Sequence, residues 1–324
     1  MGGPAMSGAP RVSVVIPAYN RAATIEACIR SVLDQTTAPF EVVLVDDGST
    51  DETRAVATSV GDHRVRIVEA GPNRGAQAAR NTGIRESNGN WIAFLDSDDT
   101  WAPQKLERQL DVLKGAGYDP TTVVHSDVFR YYPVSGRREH WHLPRIDGMD
   151  AYRSLLRNPS PMLQSMLVSR AALEHIGLLD EGVPSYQEWD TSIRLAQAGG
   201  RFIHIQEPLL DYHIGREDAI SSDGRRGIVG YRYVIDKFRS QIMSELGMDG
   251  WRAHLEVQLR SALSQSLWDV AANYLDELKG ERLKNAWVLR LCTYLHIRPA
   301  TLSAARRYLL TGAPSRKHAP RGAA

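Results

Sequence analysis

Trp91-Ile92-Ala93-Phe94-Leu95-Asp96-Ser97-Asp98-Asp99 is an unbroken apolar run that stops on a knot of carboxylates. A short run without alternation reads as a strand covered on both faces. The chain upstream repeats this arrangement. Val12–Ile16 is a similar run ending at Pro17, and Glu41–Val45 is another, ending at Asp46 and Asp47. Val65–Val68 gives a further strand pattern. Helical patterns lie between them: Ile25, Cys28, Ile29, Val32 and Leu33 recur at helical spacing, and Gly75–Arg85 is rich in alanine. Ser49 and Glu52 have the spacing of a capping box, which predicts a helix starting there. Strands alternating with helices predict an α/β fold with a Rossmann-like, mostly parallel sheet and right-handed crossovers. Ligands of such sheets sit beyond the carboxyl ends of the strands. Pro17–Asn20, Asp46–Asp51 and Asp96–Asp99 fall at three of those ends and are expected to meet in one crevice.

Downstream, Leu106, Leu110 and Leu113 mark a helix, and Val123–Tyr132 is rich in β-formers. Helix patterns follow at Ala171–Ile176 and Thr191–Ala198, the second stopped by Gly199 and Gly200, and Phe202–Ile205 is strand-like. After about Arg216 the patterns are helical only, including Tyr231–Leu246 and Ala253–Leu275. The expected organisation is a disordered lead over residues 1–10 (with Met6 an alternative start), a catalytic domain over 11–220, and a helical region over 221–324 ending in a basic tail.

The 324 residues suit one large domain or a domain with an appendage, and 43% hydrophobic residues suffice for a sizeable core. The formal net charge of +1 gives no global attraction to nucleic acid, so no nucleic-acid partner is expected. No apolar run reaches the roughly 18 residues of a membrane span. Cys28 and Cys292, the two cysteines, each sit in an apolar helical pattern and read as packed thiols, which fits a reducing, cytoplasmic setting. From Leu295 onward the chain has no acidic residue but carries Arg298, Arg306, Arg307, Arg316, Lys317 and Arg321. That stretch reads as a solvated tail or as a peripheral contact with an anionic membrane surface.

The chemistry centres on Asp96-Ser97-Asp98-Asp99. If the strand persists, alternation puts Asp96 and Asp98 on one face. Oxygen-only donors suit Mg²⁺ or Mn²⁺, ions that bind few protein ligands and share phosphate oxygens. Three carboxylates within four residues repel one another unless a cation or solvent screens them. Asp47 either accepts a hydrogen bond from a base N–H, the role its place at a strand end favours, or caps the following helix; capping is the better role for Asp46. Arg80 either faces the crevice and pairs with a diphosphate or is an exposed helix arginine. Glu188-Trp189-Asp190 opens a helix, where acids favourably meet the dipole and where a carboxylate at the crevice can act as a general base. His213 is either a packing residue or a metal ligand.

Together these segments resemble the inverting family 2 glycosyltransferases of the GT-A fold. The resemblance rests on Val12-Ser13-Val14-Val15-Ile16-Pro17-Ala18-Tyr19-Asn20, Val45-Asp46-Asp47-Gly48-Ser49-Thr50-Asp51, Asn73-Arg74-Gly75 with Ala79-Arg80-Asn81-Thr82-Gly83, and Phe94-Leu95-Asp96-Ser97-Asp98-Asp99, in that order. It is clear over residues 11 to 115 and weaker to about 215. It implies that Pro17, Ala18 and Tyr19 line a nucleotide pocket, that Asp47 holds the base, usually uracil, and that Arg80 lies near the diphosphate. It also implies that Asp96 approaches ribose and metal, and that Asp98 ligates the ion with Asp99 close by. Gln187-Glu188-Trp189-Asp190 is similar to the family's later acidic motif, with Glu188 where Asp is usual, so Glu188 is the expected base and Asp190 its reserve. Tyr212-His213 departs from the family's usual Tyr-Arg-x-His setting, which weakens a metal role for His213.

The implied activity is metal-dependent transfer of a sugar, with inversion, from a nucleotide sugar (a UDP-sugar) to an acceptor hydroxyl. The acceptor class stays open: a saccharide, a lipid-linked sugar, a natural product or a protein side chain. Three rivals remain: a silent nucleotide-sugar-binding protein of the same fold, a haloacid-dehalogenase-type phosphatase with Asp96 as nucleophile, and a nucleotidyltransferase. The phosphatase motif belongs after the first strand, and the nucleotidyltransferase expects a glycine-rich loop where Pro17-Ala18-Tyr19-Asn20 stands.

Overall fold

The computed structural model describes residues 10–148, 150–215, 224–279, 293–294 and 296. Four strands open the chain: β1 (Val12–Ala18), β2 (Glu41–Asp46), β3 (Val65–Glu69) and β4 (Trp91–Phe94). They pair in parallel in the order β3-β2-β1-β4. The crossovers run through α1 (Ile25–Leu33), α2 (Thr53–Ser59) and α3 (Ala76–Glu86). Every residue of β1, β2 and β4 is buried, as the unbroken apolar runs require. Alternate residues feed two different cores: Val15, Ile92 and Phe94 face one side of the sheet, and Val14, Ile16 and Ala93 the other.

The sheet continues past β4 through β8 (Leu167–Ser169), β6 (Thr122–Tyr132), β9 (Arg201–His213) and β5 (Thr100–Trp101), with β7 (Arg137–Trp141) paired to the outer half of β6. β8, β5 and β7 are antiparallel to their neighbours, whereas β6 and β9 are parallel to each other, so six of the nine strands run the same way. Around this half lie α4 (Lys105–Gly115), α5 (Ala151–Leu155), α6 (Arg170–His175) and α7 (Gln187–Gln197). β5, β7, β8 and α5 have no counterpart in the periodicity, because elements of two to five residues are too short to show a period.

Two glycines show why the sequence folds as it does near the strand ends. Gly48, just after β2, has φ +81°, and a Cβ there would stand 2.7 Å from the Gly71 carbonyl oxygen. Gly83 lets α3 lie directly on the sheet, since a Cβ would meet Val15 Cγ1 at 2.4 Å. The capping box expected at Ser49 and Glu52 does not form. The Ser49 hydroxyl accepts the Asn20 N–H at 3.0 Å, tying the β1 and β2 loops together, and α2 begins later, with Asp51 accepting the Thr53 N–H at 3.0 Å.

The C-terminal elements are α8 (Gly224–Lys237), α9 (Arg239–Ser264) and α10 (Trp268–Glu277). The helix expected over Tyr231–Leu246 is interrupted at Phe238, and α9 kinks at Gly247, whose φ is 69°. The helix expected over Ala253–Leu275 breaks where Ser266 turns to φ 61°. Ile228, Val234, Leu255, Leu259 and Ala271 share one apolar cluster with Phe94, Val168, Trp189 and Ile193. Among the described residues no helix is long and apolar enough to cross a membrane. Cys28 is a buried free thiol, as expected; Cys292 and the basic residues from Arg298 to Arg321 lie outside the described residues.

Candidate active site

The ends of β1 and β2 are laced together by backbone: the Asp47 N–H donates to the Ala18 carbonyl at 2.8 Å. Pro17 and Ala18 are buried, and Tyr19, the next residue, is 41% exposed, so its ring is available above the strand ends. Asp46 takes the structural part. Its Oδ1 accepts the Ser49 N–H at 3.1 Å, and its Oδ2 lies 3.4 Å from Arg54 Nε. Asp47 is also buried. Its carboxylate accepts the Arg74 N–H at 3.0 Å and the Gly75 N–H at 2.8 Å, which fixes its orientation. A carboxylate oxygen has more than one lone-pair position, so these bonds leave acceptor capacity for a base N–H.

Arg80 is not an exposed helix arginine. Its side chain is buried on the inner face of α3, with Nη1 donating to Gln77 Oε1 at 2.8 Å and Nη2 paired with Asp96 Oδ1. Its Nε is buried without a hydrogen-bond partner. Gln77 and Asp96 thus hold the guanidinium in one orientation beside the strand ends.

The acidic run is a turn, not a continued strand. β4 ends at Phe94, and the Asp99 N–H donates back to the Asp96 carbonyl at 3.0 Å. The alternation expected to align Asp96 with Asp98 therefore does not apply. Each carboxylate meets a different partner: Asp96 meets Arg80, Asp98 stands 3.9 Å from Arg21 Nε, and Asp99 accepts the His213 N–H at 2.9 Å and Gln164 Nε2–H at 3.1 Å. Burial pushes the Asp99 carboxyl well above the usual range, and the charges of Asp96 and Asp98 add to this. The Asp99 carboxylate in turn raises the imidazole of His213, whose Nδ1 lies 3.5 Å from it.

Glu188 and Asp190 part company. α7 starts from Tyr186 in the left-handed region, at φ 63°, which sets the first turn of the helix against the strand ends. Burial raises the Glu188 carboxyl, Arg80's positive charge opposes that, and Asp96's negative charge adds to it, so Glu188 stands within electrostatic reach of both. Asp190, two residues on, is fully buried and faces the other way. Its carboxylate accepts Arg194 Nε–H at 2.8 Å and Lys237 Nζ–H at 2.6 Å, and Lys237 also bonds Asp180 at 2.7 Å. As the reserve base, Asp190 is corrected by this geometry: its oxygens are committed to an ion cluster between α7 and α8.

Arg21 and Gln164 were not singled out by the sequence. Arg21 directly follows Asn20 at a strand end and was legible as a cation beside the crevice. Gln164 lies in an irregular stretch, 65 positions from Asp99, and nothing local marks it. The acidic run follows β4 and not the first strand, which removes the topological basis of the phosphatase reading.

An α/β sheet with polar clusters at adjoining strand ends, and an acidic turn after its fourth strand, is the architecture of the GT-A transferases. The chain belongs to glycosyl transferase family 2, whose profile matches residues 13–177. Three curated relatives illustrate the likeness. The succinoglycan biosynthesis protein ExoO of Rhizobium meliloti is 45% identical over 117 residues, 36% of this chain and 34% of its own. The UDP-Glc:alpha-D-GlcNAc-diphosphoundecaprenol beta-1,3-glucosyltransferase WfgD of Escherichia coli is 43% identical over 102 residues, 32% of this chain and 40% of its own. These two alignments therefore span about a third to two fifths of the relatives they match. A glycosyltransferase of Haemophilus influenzae matches more broadly, at 39% identity over 221 residues, 65% of this chain and 71% of its own. Among solved structures, the mannosyltransferase PcManGT of Pyrobaculum calidifontis, in complex with GDP-Man and Mn²⁺, superposes with a TM-score of 0.58 at 21% identity, covering 96% of this chain and 90% of that one. S. aureus TarS in complex with UDP-GlcNAc gives 0.56 at 16% identity, covering 94% and 93%.

Proposed function

We propose that the chain transfers a sugar from a nucleoside diphosphate sugar, of the uridine type, to an acceptor hydroxyl with inversion at the anomeric carbon. The observation that carries this reading is the gathering of Arg80, Asp96 and Glu188 at one crevice where β1, β2 and β4 end. PcManGT, which shares the fold, binds GDP-Man with Mn²⁺, and TarS binds UDP-GlcNAc. The acceptor class is a saccharide hydroxyl, free or lipid-linked, in keeping with the names of ExoO and WfgD.

The residues fit a Mn²⁺ or Mg²⁺ ion. The acidic turn offers carboxylate oxygens only; burial is the main cause of the raised Asp99 carboxyl, and the charges of Asp96 and Asp98 that add to it are ones a dication relieves. Asp98 and Asp96 would hold the ion, with Asp99 and His213 beside them. When bound, it would neutralise charge on the departing diphosphate.

The chain's own groups do the rest. Tyr19 and Asp47 receive the base, the ring by stacking and the carboxylate by accepting a base N–H. Arg80 lends its positive charge to the diphosphate oxygens. Glu188, kept basic enough by burial to hold a proton, takes it from the acceptor hydroxyl. The acceptor oxygen bonds to the anomeric carbon on the face opposite the diphosphate. The carbon–oxygen bond to the diphosphate breaks, and the electron pair leaves with it.

The test is a panel of UDP-, GDP- and dTDP-sugars incubated with the protein and Mn²⁺, reading nucleoside diphosphate release. Release from UDP-sugars that falls away when EDTA is added supports the reading. Absence of release and of transfer from every donor, with nucleotide bound, would favour a silent sugar-nucleotide-binding protein.

A further inference from the structure

A second cluster of metal-ligating side chains lies on the distal half of the sheet, away from the acidic turn. Asp127 on β6 is buried, and it faces an irregular stretch of its neighbour: the pairing of β6 with β9 shifts register on both sides of it, with the extra residues on β9. Its ion-pair partners among the described residues are all imidazoles, His140, His142 and His204. The two carboxylate oxygens have different duties. Oδ1 accepts the Leu143 N–H at 3.0 Å and lies 2.8 Å from His204 Nε2, which locks the group in place. Oδ2 stands 2.9 Å from His140 Nε2 and 3.1 Å from His142 Nδ1.

We propose that Asp127, His140 and His142 form a second divalent-metal site, suited to Zn²⁺, that is separate from the acidic turn. Their three ligand atoms lie within 4.8 Å of one another. Two ligands each about 2.1 Å from a tetrahedral ion stand about 3.4 Å apart, so the contacts of Oδ2 at 2.9 and 3.1 Å need open by only about 0.3 to 0.5 Å to admit Zn²⁺. His140 and His142 are two positions apart along an extended segment, so they present to the same side. Two imidazoles and one carboxylate are borderline donors that favour Zn²⁺ over Mg²⁺, and three protein ligands leave room for water. The outer support is in place. His204 orients the carboxylate and stacks on His125 at 4.4 Å, and His125 Nε2 is fixed on the Ile146 carbonyl oxygen at 2.8 Å. An entry path exists as well, since the His142 side chain is 73% exposed.

The placement gives the site a structural purpose. Bridging Asp127 of β6 to the β7 hairpin clamps the outer edge of the sheet. Further along β6, Tyr131 pairs with His213, four residues and about 13 Å from Asp127. An ion there stiffens the strand pair that ends beside Asp99. None of this depends on the donor chemistry proposed above.

The test uses the full-length protein without an affinity tag, stripped of metal and titrated with Zn²⁺ by calorimetry, with Co²⁺ absorption as a second readout of imidazole ligation. One tight Zn²⁺ equivalent is expected, retained in Asp98→Asn, weakened at least tenfold in His142→Ala and abolished in the His140→Ala/His142→Ala pair. His142 is exposed, so its substitution leaves the fold intact. Unchanged Zn²⁺ affinity in the double variant would overturn the proposal, as would a wild-type protein whose only tight Zn²⁺ disappears with Asp98→Asn.

Discussion

Two groups of charges lie on either side of α7, each centred on a buried carboxylate, and they are built differently. In the crevice, Asp96, Asp98, Asp99 and Glu188 are set against Arg21, Arg80 and the imidazole of His213. Behind the helix, Asp180 and Asp190 are matched by Arg194 and Lys237 at 2.6 to 2.8 Å. Among the described residues, the first group carries more carboxylate than its cations can neutralise, and the second is balanced. A balanced buried cluster serves the fold, because each charge it hides is compensated. An unbalanced one costs stability unless something positive joins it, which is the condition of a site awaiting a dication and its diphosphate. One helix supplies a carboxylate to each group, Glu188 to one and Asp190 to the other.

The sharpest way to break this contrast is to change those two carboxylates separately. Glu188→Gln should lower turnover by about 10²- to 10⁴-fold while leaving donor affinity within about threefold, since a general base acts only on the acceptor proton. Steady-state release of nucleoside diphosphate against donor concentration reads both numbers. Asp98→Ala should cost about 10²- to 10³-fold in turnover through lost stabilisation of the leaving group. Raising the Mn²⁺ concentration should recover part of that loss.

Asp190→Ala should act on the other quantity. Arg194 keeps the Ile176 and Leu178 carbonyls and Lys237 keeps Asp180, so the fold should lose about 2–3 kcal/mol rather than collapse. Denaturant unfolding measures this, and activity per folded molecule should stay within about threefold of the parent. If Asp190→Ala instead removes turnover from a stable protein, the division of labour along α7 is wrong.

The smallest effect belongs to acid stability. Burial works against the charged form of Asp180, but the Lys237 ammonium holds its carboxyl below the ordinary value of 3.8. A depressed carboxylate stabilises the fold above its unfolded value, and that contribution is lost as the pH falls through the folded value. Asp180→Asn should therefore weaken the protein at neutral pH by less than about 1 kcal/mol, because the pair is partly exposed. The difference from the parent should begin to shrink below about pH 3.8 and disappear once the pH is under the lowered folded value. Urea titrations at pH 7 and pH 3 compare the two conditions.

What could be read from the sequence follows the range of the interactions. β1, β2 and β4 were legible because burial on both faces writes a continuous apolar run, and their polar ends mark the crevice. The pairing of Arg80 with Asp96 was within reach because both residues flank one helix-to-strand crossover. The turn at Asp96–Asp99 was not, since strand alternation says nothing about where a strand stops. The Ser49 hydroxyl was spent on a loop 29 positions away, which no capping rule anticipates. That Glu188 and Asp190 oppose each other follows from two positions on one helix, but the partner that claims Asp190, Lys237 of α8, lies 47 positions on. The cluster of Asp127, His140, His142 and His204 is likewise assembled by sheet pairing from separate stretches, with no spacing motif to reveal it.

The central claim is that the surplus of carboxylate at the ends of the strands exists to hold a dication together with a nucleoside diphosphate. Calorimetric titration of UDP into the protein, with and without Mn²⁺, tests it most directly. UDP should bind at least tenfold more tightly when Mn²⁺ is present, and Asp98→Asn should erase that difference. Equal UDP affinity with and without the ion, or a variant that keeps the full enhancement, would contradict it.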